Sequence, residues 1–228
     1  MLHQSIAAAT RSNWRQSCSA ESDNPGLFAG HAGLVATEIS CGRNEGLYGE
    51  GEPAEYVYQV IRGAVRSYKL LSDGRRQIGA FHLPGDMFGL EPDAAHRLTA
   101  EAVVETTVRM VKRRALEALA RSDVQVACAL WTTTAADLRH AEDHMLLLGR
   151  KTAAERVATF LLEMDRRLSK AGMFALPMGR GDIADYLGLT LETVSRSLSQ
   201  LHGEGVLGFA GAKQITLRDR ARLADMDA

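Results

Sequence analysis

The chain of 228 residues has no apolar run approaching the roughly 18 residues that a membrane-crossing helix needs. Its opening, MLHQSIAAATRSNWRQ, holds no sustained apolar segment, so no secretory signal is expected and residues 1–30 read as a flexible N-terminal arm. Cysteine is scarce. Cys18, Cys41 and Cys128 are odd in number and far apart, which argues against a disulfide framework. It argues equally against an iron–sulfur cluster, normally held on four thiolates of which several are closely spaced. Positive charge is not in surplus either: 27 Lys+Arg against 28 Asp+Glu leave a net charge of −1. For a nucleic-acid binder the distribution of charge matters more than this total, and only a slight basic tilt follows Leu146. No stretch brings together a nucleophile, a base and an orienting group, so no enzyme is expected. The expected setting is the cytoplasm.

What is present is ordinary globular composition, 46% hydrophobic and 24% charged, in a length that suits one large domain or two modest ones. From about Leu34 to Val111 the chain reads as short strands with frequent turns. Tyr56–Ile61 is rich in β-branched and aromatic residues, and Ala64–Tyr68 alternates apolar and polar. Asp73-Gly74 marks a hairpin and Pro84-Gly85-Asp86 a further turn. An antiparallel barrel or sandwich over residues 31–114 is expected. The period then changes. Ala127, Trp131, Thr134, Leu138, Ala141, Met145 and Leu148 recur at alternating steps of four and three, a heptad seam on one helix over residues 115–149. The seam could pack on its own barrel, but a parallel homodimer suits its length and regularity better. Gly149-Arg150-Lys151 resembles a hinge, and Thr152 with Glu155 fits a capping box opening a helix that buries Val157, Phe160, Leu161 and Met164.

The informative stretch is Arg180 to Leu201, RGDIADYLGLTLETVSRSLSQL. Ile183, Ala184 and Leu187 face inward on a first helix, and Gly188 stands where a left-handed C-cap belongs. Thr190 serves as N-cap of a second helix that buries Val194, Leu198 and Leu201. Two short helices about a glycine turn make a helix-turn-helix. The outward face of the second carries Leu191, Glu192, Ser195 and Arg196 in its first two turns, where base edges are read in the major groove. Arg suits guanine O6 and N7, Glu suits cytosine N4, and Leu suits a thymine methyl. Gly205–Phe209 and Gln214–Leu217 flank Ala210–Lys213 as a hairpin wing. An ordinary helical hairpin, with Glu192 and Arg196 as a solvated i,i+4 pair, is the simpler alternative.

These residues resemble a known family. Leu-Gly-Leu-Thr-Leu-Glu-Thr-Val-Ser-Arg, from Leu187 to Arg196, is similar to the winged helix of the catabolite activator/fumarate–nitrate reduction (CRP/FNR) regulators, in their FixK-like branch. Gly63-Ala64-Val65-Arg66, Pro84–Gly89 and Leu148–Ala158 extend the likeness over roughly Leu34 to Leu217. The resemblance implies an α+β fold: an N-terminal antiparallel jelly-roll β-barrel of cyclic-nucleotide-binding type, a long dimerisation helix, and a winged helix-turn-helix over residues 150–228. It also implies a homodimeric activator that binds double-stranded DNA at a twofold operator like TTGAT-N4-ATCAA and touches RNA polymerase. Glu192, Ser195 and Arg196 match the family's base-reading pattern. Arg180, Thr190, Thr193 and Lys213 are expected at the DNA backbone.

The sensor residues of the family match less well. Cyclic-nucleotide binders carry Glu after the cassette glycine and Ser or Thr after its arginine; here Leu90 follows Gly89 and Leu98 follows Arg97. Only Cys18 lies where oxygen sensors hold most of their cluster thiolates. No cofactor and no metal is therefore expected, and the alternative is a barrel gated by an unrecognised small molecule or haem. His140 and His144, four apart on the long helix and off its seam, are expected on a solvated face.

Overall fold

The computed structural model describes residues 34–169, 172–211 and 213–227; the arm over residues 1–30, and Cys18 with it, lies outside them. Eight strands come first: β1 (Ala36–Cys41), β2 (Gly46–Tyr48), β3 (Tyr56–Arg62), β4 (Val65–Leu70), β5 (Arg76–His82), β6 (Met87–Phe88), β7 (Thr99–Ala102) and β8 (Thr106–Lys112). They form two four-stranded antiparallel sheets in the orders β1-β8-β3-β6 and β2-β7-β4-β5. Val60, Phe88 and Val108 from the first sheet pack with Tyr48, Val65 and Ala100 from the second in one buried cluster. Among the described residues no ladder joins the two sheets, so the jelly-roll-type domain is a sandwich rather than a closed barrel. The Asp73-Gly74 turn joins β4 to β5, with Gly74 at φ 84° and its N–H on the Leu71 carbonyl at 2.9 Å.

The long helical segment is divided. It runs as α1 (Arg113–Ser122) and α2 (Val124–Arg150), not as one helix from 115 to 149. Asp123 breaks it: its backbone is extended at φ −122°, ψ 109°, and its carboxylate accepts from the N–H groups of Gln125 and Val126. The same polar cap that starts α2 thus ends α1. α2 has 27 residues, a length of about 40 Å. Six of the seven seam residues stay on the outside of the protomer, with Trp131, Leu138 and Met145 60–65% exposed, whereas Leu148 is half-buried and packs against the core.

α3 (Ala153–Leu168) opens with the expected capping box, Thr152 and Glu155 bonding reciprocally. Its buried face is Val157, Phe160, Leu161 and Met164. Beyond it lie β9 (Met173–Ala175), α4 (Arg180–Leu187), α5 (Leu191–Gly203), β10 (Leu207–Ala210), β11 (Gln214–Leu217) and α6 (Arg220–Asp227). β10 and β11 form the hairpin wing, and β9 adds a third strand on the β11 side that the sequence pattern does not announce. One continuous core runs from Ala64, Tyr68 and Phe81 of the sheet domain through α3 into α4, α5 and the wing. Among the described residues no helix is long and apolar enough to cross a membrane.

Candidate nucleic-acid interface

The two C-terminal helices meet as the spacing requires. Ile183, Ala184 and Leu187 of α4 and Val194, Leu198 and Leu201 of α5 are all buried to 4% exposure or less. Full burial of the branched side chains among them is worth roughly 1.5–3 kcal/mol each, so this seam fixes the two helices against one another. Gly188 makes the turn in the left-handed conformation, φ 61°, and a Cβ there would sit 3.3 Å from the Leu148 side chain. Thr190 caps α5, its hydroxyl accepting from the Thr193 N–H at 3.2 Å and sharing a 3.0 Å hydrogen bond with the Thr193 hydroxyl.

Packing Val194, Leu198 and Leu201 inward turns Leu191, Glu192 and Arg196 outward, all three exposed, with Ser195 half-buried between them. The i,i+4 pair expected of an ordinary solvated hairpin is absent: neither Glu192 nor Arg196 has a side-chain partner among the described residues. An extended face with an unspent guanidinium and carboxylate, at the positive end of a helix, suits polar base edges flanked by phosphates. Arg180, exposed at the start of α4, adds a cation nearby in sequence to the turn. Lys213 is exposed on the wing but donates to the Pro177 carbonyl at 2.9 Å, which ties it to the loop after β9.

Arg156 holds the joint between α2 and this unit. Its guanidinium donates to the carbonyls of Leu148, Lys151 and Leu187, each at 2.9 Å, and so caps the C-terminal ends of α2 and α4 together. The histidine pair completes the joint, and here the expectation of a solvated face fails. The His144 ring stacks on Tyr186 of α4 at 4.2 Å, and both its nitrogens are buried without a hydrogen-bond partner. Burial, then the neighbouring His140, push its pKa down to about 4. His140 Nε2 lies 3.3 Å from the Tyr186 hydroxyl, which also donates to Glu163 at 3.2 Å. α4 docks on this side of α2, opposite the exposed seam, and covers what spacing alone leaves bare.

The sheet domain's interior is occupied by its own rings. Tyr48 stacks on His96 at 3.5 Å and Tyr58 on Phe88 at 5.2 Å, while Ser67 and His82 share a 2.6 Å hydrogen bond. Leu90, following Gly89, packs half-buried against the Val57–Met87–Val111 cluster, and Arg97 is exposed. A ribose hydroxyl would meet leucine where a carboxylate is needed, and the cassette arginine does not turn inward. These residues do not fit a cyclic nucleotide. Among the described residues no group of three or more His, Cys, Asp or Glu side chains is placed to hold a metal.

A sheet sandwich, a long helix with an outward apolar seam, and a winged helix-turn-helix define a DNA-binding transcription regulator. Residues 155–226 match the family model of the Crp-like helix-turn-helix domain, and residues 38–123 that of the cyclic nucleotide-binding domain. The chain is 49% identical over 199 residues to the nitrogen fixation regulation protein FixK of Azorhizobium caulinodans, covering 85% of this chain and 80% of that one. Identity to FixK of Rhizobium meliloti is 42% over 184 residues, with coverage of 81% and 82%. The solved structure of FixK2 from Bradyrhizobium japonicum superposes with a TM-score of 0.83 at 73% identity, over 86% of this chain and 98% of that one. The chain belongs to the CRP/FNR family of transcription regulators, in its FixK-like branch.

Proposed function

We propose that this regulator is a cytoplasmic activator that reads a TTGAT-N4-ATCAA-like operator as a homodimer, without a cyclic nucleotide or an iron–sulfur cluster, and contacts RNA polymerase at its promoters. The observation that carries the reading is the free outward face of α5: Leu191, Glu192 and Arg196 are exposed and the two charges are unpaired. In this reading Arg196 pairs with a guanine, Glu192 accepts from a cytosine, Leu191 meets a thymine methyl and Ser195 supports them. Arg180, Thr190, Thr193 and Lys213 sit at the DNA backbone. The seam of Ala127, Trp131, Thr134, Leu138, Ala141, Met145 and Leu148 joins two copies and sets their reading helices about one helical turn, roughly 34 Å, apart. Ring packing inside the sandwich and Leu90 at the cassette position support independence from a nucleotide.

The test is binding of the purified chain to that operator against a scrambled duplex, with no effector, at about 150 mM salt because the phosphate contribution depends steeply on it. Selective tight binding is expected. Binding no better than to the scramble refutes the reading as stated.

A second reading, regulation by a small molecule, is favoured by one feature. A cleft of about 1040 Å³ opens between the sheet domain and the inner faces of α2 and α3, lined in part by His82, Asp86, Asp137, His140 and Arg166. Operator affinity that rises tenfold or more on adding a cell-derived small-molecule fraction would support it.

A further inference from the structure

In β4, Val65 points into the sandwich and the next residue, Arg66, faces the opposite side, where alternation alone would leave it in water. Its side chain is nevertheless only 7% exposed, because α4 lies over it. Arg66 donates through Nη1 to Asp182 Oδ1 at 2.9 Å and through Nη2 to Glu101 Oε2 at 2.6 Å and Asn44 Oδ1 at 3.0 Å. Arg76 of β5 reaches the same Asp182 oxygen at 2.7 Å and Asp185 at 2.8 Å. The Tyr68 hydroxyl donates to the other Glu101 oxygen at 2.8 Å, and the Tyr68 ring lies under the Arg76 guanidinium, 5.2 Å away. Gln77 adds a bond from Nε2 to the Tyr186 carbonyl at 3.2 Å.

Two guanidiniums and three carboxylates thus join the β4–β5 hairpin to the first helix of the DNA-reading unit. A largely buried network of this kind adds little net stability over an apolar contact, since desolvation offsets the attraction. What it supplies is geometry. Guanidinium forks satisfied by fixed carboxylates define one relative placement, and sliding α4 by a few ångströms strands a buried charge. Every residue that the unit contributes, Asp182, Asp185 and Tyr186, belongs to α4, and none to α5. The contact therefore orients the reading helix and leaves its outward face free.

We propose that Arg66 and Arg76 are positioning residues for operator binding: they lock α4 to the sheet domain and so fix the separation of the two reading helices in the dimer without an effector. The proposal rests on the assignment of α5 and of the α2 seam made under Proposed function. It predicts that the clamp governs which half-site spacing is accepted, beyond how well the protein folds.

The experiment uses the full chain as wild type, Arg76→Glu, Asp185→Arg and the doubly exchanged variant. Binding is measured by fluorescence anisotropy on duplexes with TTGAT and ATCAA separated by three, four or five base pairs, and on a scramble. Wild type prefers four. Arg76→Glu weakens binding at that spacing about tenfold and flattens the preference among spacers, with scrambled DNA bound as before. The double exchange restores part of the preference for four, because positions 76 and 185 again carry opposite charges while Asp182 still opposes the carboxylate introduced at 76. Thermal melting of each variant separates misplacement from unfolding, and Arg76→Gln carries the test if Arg76→Glu does not fold. Unchanged affinity and spacer preference in the folded Arg76 variant, tighter operator binding, or a double exchange that restores nothing overturns the proposal. If wild type itself fails to select the operator, the reading under Proposed function fails and the clamp falls with it; wild type alone tells the two failures apart.

Discussion

Leu138 lies at the middle of the α2 seam with 60% of its surface open in the protomer. Complete burial of a leucine contributes roughly 1.5–3 kcal/mol, so covering the open part with a second α2 contributes about 1–2 kcal/mol per copy. Leu138→Ala keeps one methyl of that surface and improves helix propensity, so the helix itself does not suffer. In a twofold dimer the loss counts twice, about 2–3 kcal/mol, which lowers the dimerisation constant roughly 30- to 150-fold. Sedimentation equilibrium over a range of concentrations reads that constant directly. Trp131, 61% exposed on the same seam, gives an optical check, since its emission should shift to the blue on dimerisation and do so at higher protein concentration in the variant. A dimerisation constant within about threefold of wild type would show that the seam packs on nothing and refute the reasoning.

At the reading face, Arg196→Ala should cost about 1–3 kcal/mol on the operator and relax preference at one guanine; equal weakening on a scramble makes Arg196 a phosphate contact instead. Leu191→Glu sets a second carboxylate beside Glu192 and should weaken binding to operator and scramble alike in the same anisotropy assay. The depressed pKa of His144, about 4 in the folded chain and near 6.5 when unfolded, means that the unfolded chain takes up the proton first. Stability should therefore fall as pH drops from about 6.5 toward 4, and His144→Phe, which keeps the ring stack, should flatten that fall in urea melts. Gly63 sits at φ 90°, where a Cβ would lie 2.6 Å from the Glu105 carbonyl and collide with the Thr106 hydroxyl. Gly63→Ala should cost about 2–4 kcal/mol in the urea midpoint.

The parts of this fold that were legible in the sequence are those whose signals are local. Gly188 and Thr190 announce a helix stop and start within three residues, and the spacing of Val194, Leu198 and Leu201 fixes which face of α5 remains outside. The outward face that we propose reads bases follows by subtraction. Asp123 is a local signal too, but a single capping residue inside a long apolar periodicity competes with the period and is outweighed by it. β9 is too short to show a pattern, and only pairing with β11 makes Met173–Ala175 a strand.

The rest was illegible because its causes are distant. Arg66 and Asp182 are 116 residues apart, and no alternation rule can say that a helix from the C-terminal half will cover a β4 side chain. His144 is the same case: its position off the seam is correctly read, but a face that avoids one partner is free to meet another, here Tyr186. Both surprises involve the same helix. α4 carries Asp182 and Asp185 toward the sheet domain and Tyr186 toward α2 and α3, so both of these long-range contacts converge on the helix next to α5. Local spacing specifies what α5 presents and long-range polar contacts specify how α4 beside it is held, and the proposed reading of a twofold operator depends on both.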